Sequence, residues 1–266
     1  MQTSYLLLLL FGCLTGITTV LFGFGGGFVT VPVVYGLWST TAHPGADAMH
    51  VAVATSTAVM AVNSVFATLT QWHQGRLRRE YLWPMAAFVL VGAVAGSFAA
   101  TRISETTLRV LFAAYLLATI ADSLLRKGFL SAPQTREPRP LGRPARTLGG
   151  VAIGSVAACL GVGGSVMTVP LLRRRGLPMA EATAMANPLS VPVAVVGTVV
   201  YALAAPALHA QVGRLGSIDL LACTALLAGS LPTIALARRA AARVTDRVHS
   251  VAYVALLVIV LLVMVI

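Results

Sequence analysis

Two glycine-rich motifs in this chain have residue types and a spacing that suit the binding of an anion. GFGGGFVTVP runs from Gly23 to Pro32, and GVGGSVMTVP runs from Gly161 to Pro170. A helix that begins after such a break exposes free backbone N–H groups and carries about half a positive charge at its N-terminus. Glycine also lets the backbone approach a ligand and turn sharply. The motifs therefore predict an anion site that needs no buried Lys or Arg.

Hydroxyl and amide side chains near the motifs are further candidates. Thr30 and Thr168 would add donors one turn inside each helix. The prolines that end the motifs lack an N–H, which suits a helix that is broken or just beginning. Ser and Thr also bond the preceding turn or bridge helices, so that role stays open for them. The candidate substrate-binding residues are Gly25, Gly26, Gly27, Thr30, Thr55, Ser56, Gly163, Gly164, Ser165, Thr168, Asn187 and Ser190.

Polar residues also interrupt an apolar segment that follows each motif, in HVAVATSTAVMAVNS and EATAMANPLSVPVAVVG. Aligning His50 with Glu181 places Ser56 at the position of Asn187. The two prolines that follow Asn187 are expected to break or kink their helix and free backbone groups there. His50 and Glu181 occupy equivalent positions and are the candidates for gating or proton coupling, with a purely interfacial role as the alternative.

Other roles for the glycines compete with anion binding. GFGGG resembles a dinucleotide fingerprint, but that motif requires a soluble strand–turn–helix unit, which the sequence does not contain. Pairs of small residues four apart pack membrane helices together, and we expect this role for Gly12 with Gly16 and for Gly92 with Gly96. Packing alone would not require the Thr-Val-Pro that follows both copies of the motif.

The composition identifies the class of protein that must position these groups. The 266 residues are 58% hydrophobic and 10% charged, against about 25% charged residues in soluble domains. The mean hydropathy is +0.87. Runs such as VAYVALLVIVLLVMVI approach the ~20 apolar residues of a spanning helix. The fold class is therefore an all-α polytopic membrane protein. The first apolar run lacks the positive start of a signal peptide and is expected to be retained.

The apolar segments form two sets of five. We predict a first transmembrane repeat at 1–125, a basic, proline-rich and extended cytoplasmic linker at 126–146, and a second repeat at 147–266. The predicted segments are 4–22, 27–38, 48–72, 81–101, 106–125, 147–161, 165–172, 179–206, 217–236 and 248–266.

The basic residues predict that the two repeats are inverted. All of the 19 Lys and Arg except Arg102, Arg109 and Arg214 lie in loops that can share one side of the membrane. The positive-inside rule makes that side cytoplasmic and places both termini outside. Each half then crosses the membrane an odd number of times, so the two halves have opposite orientations. Transporters built from inverted repeats have this arrangement. The charges lie in these loops and form no basic face with aromatics, so a nucleic-acid partner is not expected.

The segment after each glycine motif is short. Only eight to ten residues separate the glycines near Ser165 from Arg173, and as a helix they rise about 15 Å, half of a ~30 Å hydrocarbon core. We therefore predict that each motif is the tip of a re-entrant hairpin near the membrane centre, followed by three transmembrane helices. Irregular backbone is tolerated at that depth where protein or a water-filled cavity covers it.

With GFGGGFVTVPVV and GVGGSVMTVPLL at corresponding positions of two halves, the chain resembles the sulfite exporter TauE/SafE family over nearly its whole length. The resemblance implies a bacterial-type inner-membrane protein that moves sulfite, sulfoacetate or related organosulfonates outward. Ser165 stands at the position of Gly27, and Asn187-Pro188 at that of Ser56-Thr57. These departures make the expected site asymmetric and leave the substrate open.

The expected function is secondary export of a small sulfur-containing anion driven by the membrane potential, with proton coupling left open. A cation-coupled importer of a carboxylate or other small anion, a non-transporting scaffold and an intramembrane enzyme are the alternatives. No HExxH, GxSxG or histidine cluster favours an enzyme. The three cysteines are scattered singly, so we expect no metal, disulfide or cofactor. The expected partners are the anion and the lipid bilayer, and a homo-oligomer is left open.

Overall fold

A computed structural model describes residues 2–41, 48–75, 77–125, 141–204, 213–241 and 244–265. The helices of the first half are α1 (Gln2–Phe22), α2 (Gly27–Thr41), α3 (Ala48–His73), α4 (Arg79–Leu82), α5 (Met85–Ala100) and α6 (Glu105–Leu125). Those that follow are α7 (Arg143–Arg146), α8 (Leu148–Leu160), α9 (Ser165–Arg173), α10 (Met179–Leu203), α11 (Leu220–Ala241) and α12 (Asp246–Val265). Strands β1 (Arg214–Leu215) and β2 (Ile218–Asp219) pair antiparallel.

The longer helices are apolar over lengths that match a bilayer, which confirms the predicted all-α polytopic membrane fold. In the described part of the chain, six helical stretches are long and apolar enough to cross a membrane: Ala48–His73, Arg79–Ala100, Glu105–Leu125, Met179–Leu203, Leu220–Ala237 and Asp246–Met264. Helices α2 and α9 contain 15 and 9 residues. At 1.5 Å per residue they rise about 22 and 14 Å, less than the ~30 Å core.

Three details of the predicted segments differ in the structure. The segment 81–101 is divided, because Pro84 lies between α4 and α5 and its missing N–H cannot continue the first helix. The segment predicted from 217 begins as a helix only at Leu220, since the β1–β2 hairpin precedes it. In the linker, residues 126–140 lie outside the described residues, and Arg143–Arg146 forms a short helix rather than extended chain.

Of the break or kink predicted after Asn187, the break does not occur. Helix α10 continues without interruption through Pro188 and Pro192 to Leu203. Each proline still removes one intrahelical hydrogen bond, and a membrane helix tolerates this when neighbouring helices supply other partners. Helix α10 is packed against α3, α5 and α9, which provides such neighbours.

Glycines pack the helices of one half directly against those of the other. Helix α1 packs on α11, and α8 packs on α5. A Cβ built on Gly16 would lie 2.6 Å from the carbonyl oxygen of Ser230, and Cβ atoms on Gly12, Gly92 and Gly96 would overlap facing backbone carbonyls even more closely. The prediction that these four glycines pack helices is therefore confirmed.

The directions of the packed helices follow from their contacts. Helices α1 and α11 run parallel, since Gly12 faces Leu226 and Gly16 faces Ser230. Helices α5 and α8 also run parallel, with the Gly92 to Gly96 stretch of α5 facing residues 151–155 of α8.

The helices at the centre of the structure are antiparallel instead. Thr57, in the first half of α3, lies against Gly197 in the second half of α10. The N–H of Arg78, beyond the end of α3, reaches Met185 near the start of α10. Helices α6 and α12 are likewise antiparallel, because Arg109 near the start of α6 donates to the carbonyl of Met264 at the end of α12.

Candidate functional site

The two glycine motifs meet in the interior of the molecule. We call residues 23–27 the first tip and residues 161–165 the second tip, and both are completely buried. A Cβ built on Gly27 would lie 2.8 Å from the carbonyl oxygen of Gly161. A Cβ on Gly163 would lie 2.8 Å from the carbonyl oxygen of Phe24. The tips are thus in backbone contact, which a larger residue at either position would prevent.

The two tips have different backbone conformations. Gly23, Gly25 and Gly26 have φ of 71°, 60° and 91°, which side-chain-bearing L residues rarely adopt. In the second tip only Gly161 has a positive φ, of 66°, and Gly164 is in the ordinary helical region with φ of −57°. The first tip therefore requires glycine at more positions than the second.

Ser56 links the tips. Its hydroxyl lies 2.9 Å from the carbonyl oxygen of Gly27 and 2.7 Å from that of Gly161, both as acceptors. Helix α3 carries Ser56 between α2 and the end of α8 and so brings the two halves together at this point. One hydroxyl hydrogen is shared between two backbone carbonyls, one at the start of α2 and one just past the end of α8.

Asn187 occupies a corresponding place on α10. Its amide nitrogen donates to the carbonyl oxygen of Thr19 at 3.3 Å, in the last turn of α1. Within the described residues, its amide oxygen has no hydrogen-bond partner. Ser190, one turn further along α10, donates to the carbonyl of Ala186 and lies 2.9 Å from a Cβ built on Gly163. The structure therefore places both predicted α10 residues next to the tips.

The other predicted hydroxyls differ in their surroundings. Thr30 donates to the carbonyl oxygen of Gly26 at 3.0 Å, within its own helix. Ser165 and Thr168 are fully buried and, in the described part of the chain, their hydroxyls have no partner. The hydroxyl of Thr55 accepts from the N–H of Asp219 at 3.0 Å, so it contacts the β1–β2 hairpin rather than a tip.

His50 and Glu181 lie away from the tips, at opposite ends of the molecule. His50 is in the first turn of α3, where its Nε2 lies 3.2 Å from the carbonyl oxygen of Ala100 and 3.0 Å from that of Ile103. Glu181 is in the first turn of α10 and forms an ion pair with Arg78 at 3.0 Å, with its side chain 40% exposed. Because α3 and α10 are antiparallel, their first turns are at opposite ends.

The structure adds an ion pair that the sequence did not single out. Arg173, the last residue of α9, lies 2.8 Å from a carboxylate oxygen of Asp246, and its side chain is only 2% exposed. The other carboxylate oxygen of Asp246 accepts from the N–H of Met179 at 2.7 Å. This carboxylate joins the ends of α9, α10 and α12. The available signal was an acidic residue just before the predicted segment 248–266.

A proline in α9 explains a second unanticipated contact. Pro170 has no N–H, so the carbonyl of Val166, four residues earlier, loses its helical partner. The phenol of Tyr253 donates to this carbonyl at 3.0 Å. The second motif is thereby attached to α12, and the backbone group that its proline frees is satisfied.

These features define the class: a multi-pass α-helical membrane protein with two broken, glycine-rich segments packed against each other at its centre. The family described as sulfite exporter TauE/SafE matches residues 8–264. The chain therefore belongs to the sulfite exporter TauE/SafE family, and it is a membrane transporter.

Two similar proteins carry a matching description. The chain is 27% identical over 183 residues to a probable membrane transporter protein of Haemophilus influenzae. The aligned part is 68% of this chain and 67% of the relative. The chain is also 26% identical over 180 residues to a probable membrane transporter protein of Methanocaldococcus jannaschii. The aligned part is 67% of this chain and 65% of the relative. The alignments thus span about two thirds of each relative. No solved structure matches the chain.

Proposed function

We propose that the protein exports small sulfur-containing oxyanions, such as sulfite, sulfoacetate or related organosulfonates, from the cytoplasm. The anion binds where the two tips meet. The family description supports the substrate class and the direction. The observation that carries the proposal is the backbone contact between the tips, at which α2 and α9 both begin.

The charge at the tips fits an anion that must be released again. Neither tip contains a charged residue. Two helix N-termini supply partial positive charge and N–H donors there. A fixed Lys or Arg would hold an anion more strongly, whereas transport requires binding that is weak enough to reverse.

The antiparallel packing of α3 on α10 and of α6 on α12 supports inverted repeats. Two repeats of the same orientation would pair these equivalent helices in parallel. With inverted repeats, rocking of one half against the other opens a central site to each side in turn. In our topology the basic loops and the linker face the cytoplasm of the inner membrane, and both termini lie outside.

The membrane potential alone can drive such export. When the cell interior is 100 mV negative, moving one negative charge from inside to outside releases about 2.3 kcal/mol. Moving a dianion releases about twice that. Uniport therefore suffices in this proposal.

Purified protein in liposomes loaded with sulfite tests the proposal. An imposed potassium-diffusion potential, negative inside, should accelerate sulfite efflux, and unlabelled sulfite on the inside should compete with a labelled tracer. Reversing the potential should slow efflux, and adding or removing a sodium gradient should leave it unchanged. Absence of flux for every sulfur oxyanion, or inward flux that requires sodium, would overturn the proposal and favour the cation-coupled importer.

A further inference from the structure

Several donors of the predicted site are already used in this conformation. The hydroxyls of Ser56, Thr30 and Ser190 all donate to backbone carbonyls. Groups that are buried beside a tip and have no partner in the protein are better placed to meet a ligand, because buried polar groups are rarely left without a hydrogen bond.

Two such groups come from one turn of α3 and face the first tip. A Cβ built on Gly26 would lie 2.9 Å from the amide nitrogen of Asn63, and one built on Gly25 would overlap the hydroxyl oxygen of Ser64. Asn63 and Ser64 are both 0% exposed. Within the described residues, neither the Asn63 amide nitrogen nor the Ser64 hydroxyl has a hydrogen-bond partner.

Ser230 of α11 determines which face of the Asn63 amide meets the tip. Its hydroxyl donates to the amide oxygen of Asn63 at 2.8 Å. With the oxygen engaged there, the two N–H donors of Asn63 face Gly26 at the start of α2. Such a face suits an acceptor-rich anion and opposes a cation, which would need the amide oxygen.

Thr15 of α1 completes the surroundings of the turn. Its methyl group contacts the Cβ position of Gly26, and it is 0% exposed. In the described part of the chain its hydroxyl has no partner. The N-terminus of α2 is therefore enclosed by three buried polar side chains from α1 and α3.

We propose that Asn63 and Ser64, with Thr15, form the oxyanion subsite at the first tip, and that Ser230 is a positioning residue that directs the Asn63 amide toward the ligand. This inference rests on the proposed function and assigns to the first tip a share in the recognition of the anion. A buried hydroxyl without a partner is not by itself enough to identify an anion subsite. Ser123 in α6 also carries such a hydroxyl. Its neighbour Asp122 pairs with Arg174, which follows the end of α9 that is far from the tips.

The subsite is tested by the thermal unfolding of the purified full-length protein. The unfolding midpoint is measured as sodium sulfite is titrated, with sodium chloride as the control salt. Asn63→Asp keeps the size and the acceptor for Ser230 but replaces the donors by a carboxylate oxygen, so we expect loss of the sulfite response. Asn63→Ala and Ser64→Ala should weaken apparent affinity about tenfold or more, as for hydrogen bonds to a charged group. Ser230→Ala should weaken it by less. Ser123→Ala is the matched control and should match the wild type.

The outcomes separate this inference from the proposed function. If no sulfur oxyanion stabilises the wild-type protein, the proposed function fails. If sulfite stabilises the wild type and also Asn63→Asp and Ser64→Ala to the same extent, the subsite is overturned while the function stands. If Asn63→Asp does not fold, Asn63→Ala and Ser64→Ala decide, and wild-type affinity in both contradicts the inference.

Discussion

The hydroxyl of Ser56 shows how a single residue holds the irregular tips in place. Each tip ends a regular hydrogen-bond pattern and leaves carbonyl groups that must find partners in the interior. Ser56 serves one carbonyl from each tip. Loss of this buried hydroxyl removes a hydrogen-bond donor from both carbonyls.

We therefore expect Ser56→Ala to lower the stability of the purified protein by about 1–3 kcal/mol, the cost of leaving a buried polar group unsatisfied. Thr57→Val is the control, because the hydroxyl of Thr57 donates only to Ala54 within the same helix. Thermal unfolding in detergent measures both. Equal midpoints for the two variants would show that Ser56 does not join the tips.

At this scale the sequence predicted part of the candidate site. The repeated motif indicated the glycines, and the polar interruptions of the third segments indicated Ser56 and Asn187, all of which lie at or beside the tips. The environment of Ser64 was not predictable, because it depends on how α3 is rotated toward the first tip. The orientation of the Asn63 amide depends on Ser230, which is 167 residues away.

Among the secondary-structure elements, the contact of α5 with α8 depends on the absence of side chains. A Cβ on Gly96 would overlap the carbonyl oxygen of Ser155 across this contact. Small residues let membrane helices approach closely and pack their backbones. Gly36 in α2 is different, since nothing lies within 4 Å of its Cβ position.

Gly96→Ala should therefore destabilise the protein by about 1–3 kcal/mol through overpacking. Gly36→Ala should be neutral or stabilising by up to about 1 kcal/mol, because alanine is the better helix former. Unfolding midpoints of the two variants in the same detergent give the comparison. A Gly96→Ala midpoint equal to or above that of Gly36→Ala would contradict the close packing of α5 on α8.

The Arg173–Asp246 ion pair fixes the end of the short helix α9. Asp246→Asn would leave the buried guanidinium without its carboxylate, and we expect a loss of about 3–5 kcal/mol. Asp122→Asn removes the partner of Arg174, whose side chain is 39% exposed, and should cost no more than about 1 kcal/mol. Chemical or thermal unfolding of both variants measures the difference. Similar losses would mean that Arg173 is not held by Asp246.

The sequence predicted the presence of the helices better than the residues at which they begin and end. Apolar length identified the helices of both halves, because a bilayer demands long, uncharged runs. The segment predicted from 217 extended into the hairpin, because Ile218 is as apolar as a helix residue. The break expected in α10 does not occur, since neighbouring helices compensate a proline in a way that the local sequence does not reveal.

For the whole molecule, the important feature is that each half supplies contacts that the other lacks. Helix α1 pairs with α11, α8 pairs with α5, and the tips meet between α3 and α10. Neither half closes the central site alone. A movement of one half relative to the other therefore changes the contact between the tips, which is what the proposed transport between them requires.

The most direct test of this account is potential-driven sulfite efflux from liposomes that contain Gly163→Ala. The new methyl group would lie 2.8 Å from the carbonyl oxygen of Phe24 and 2.9 Å from the Ser190 hydroxyl, directly between the tips. The account predicts at least about a tenfold loss of efflux for a variant that inserts normally, whereas Gly36→Ala retains wild-type efflux. Wild-type efflux by correctly inserted Gly163→Ala would contradict passage of the anion between the tips.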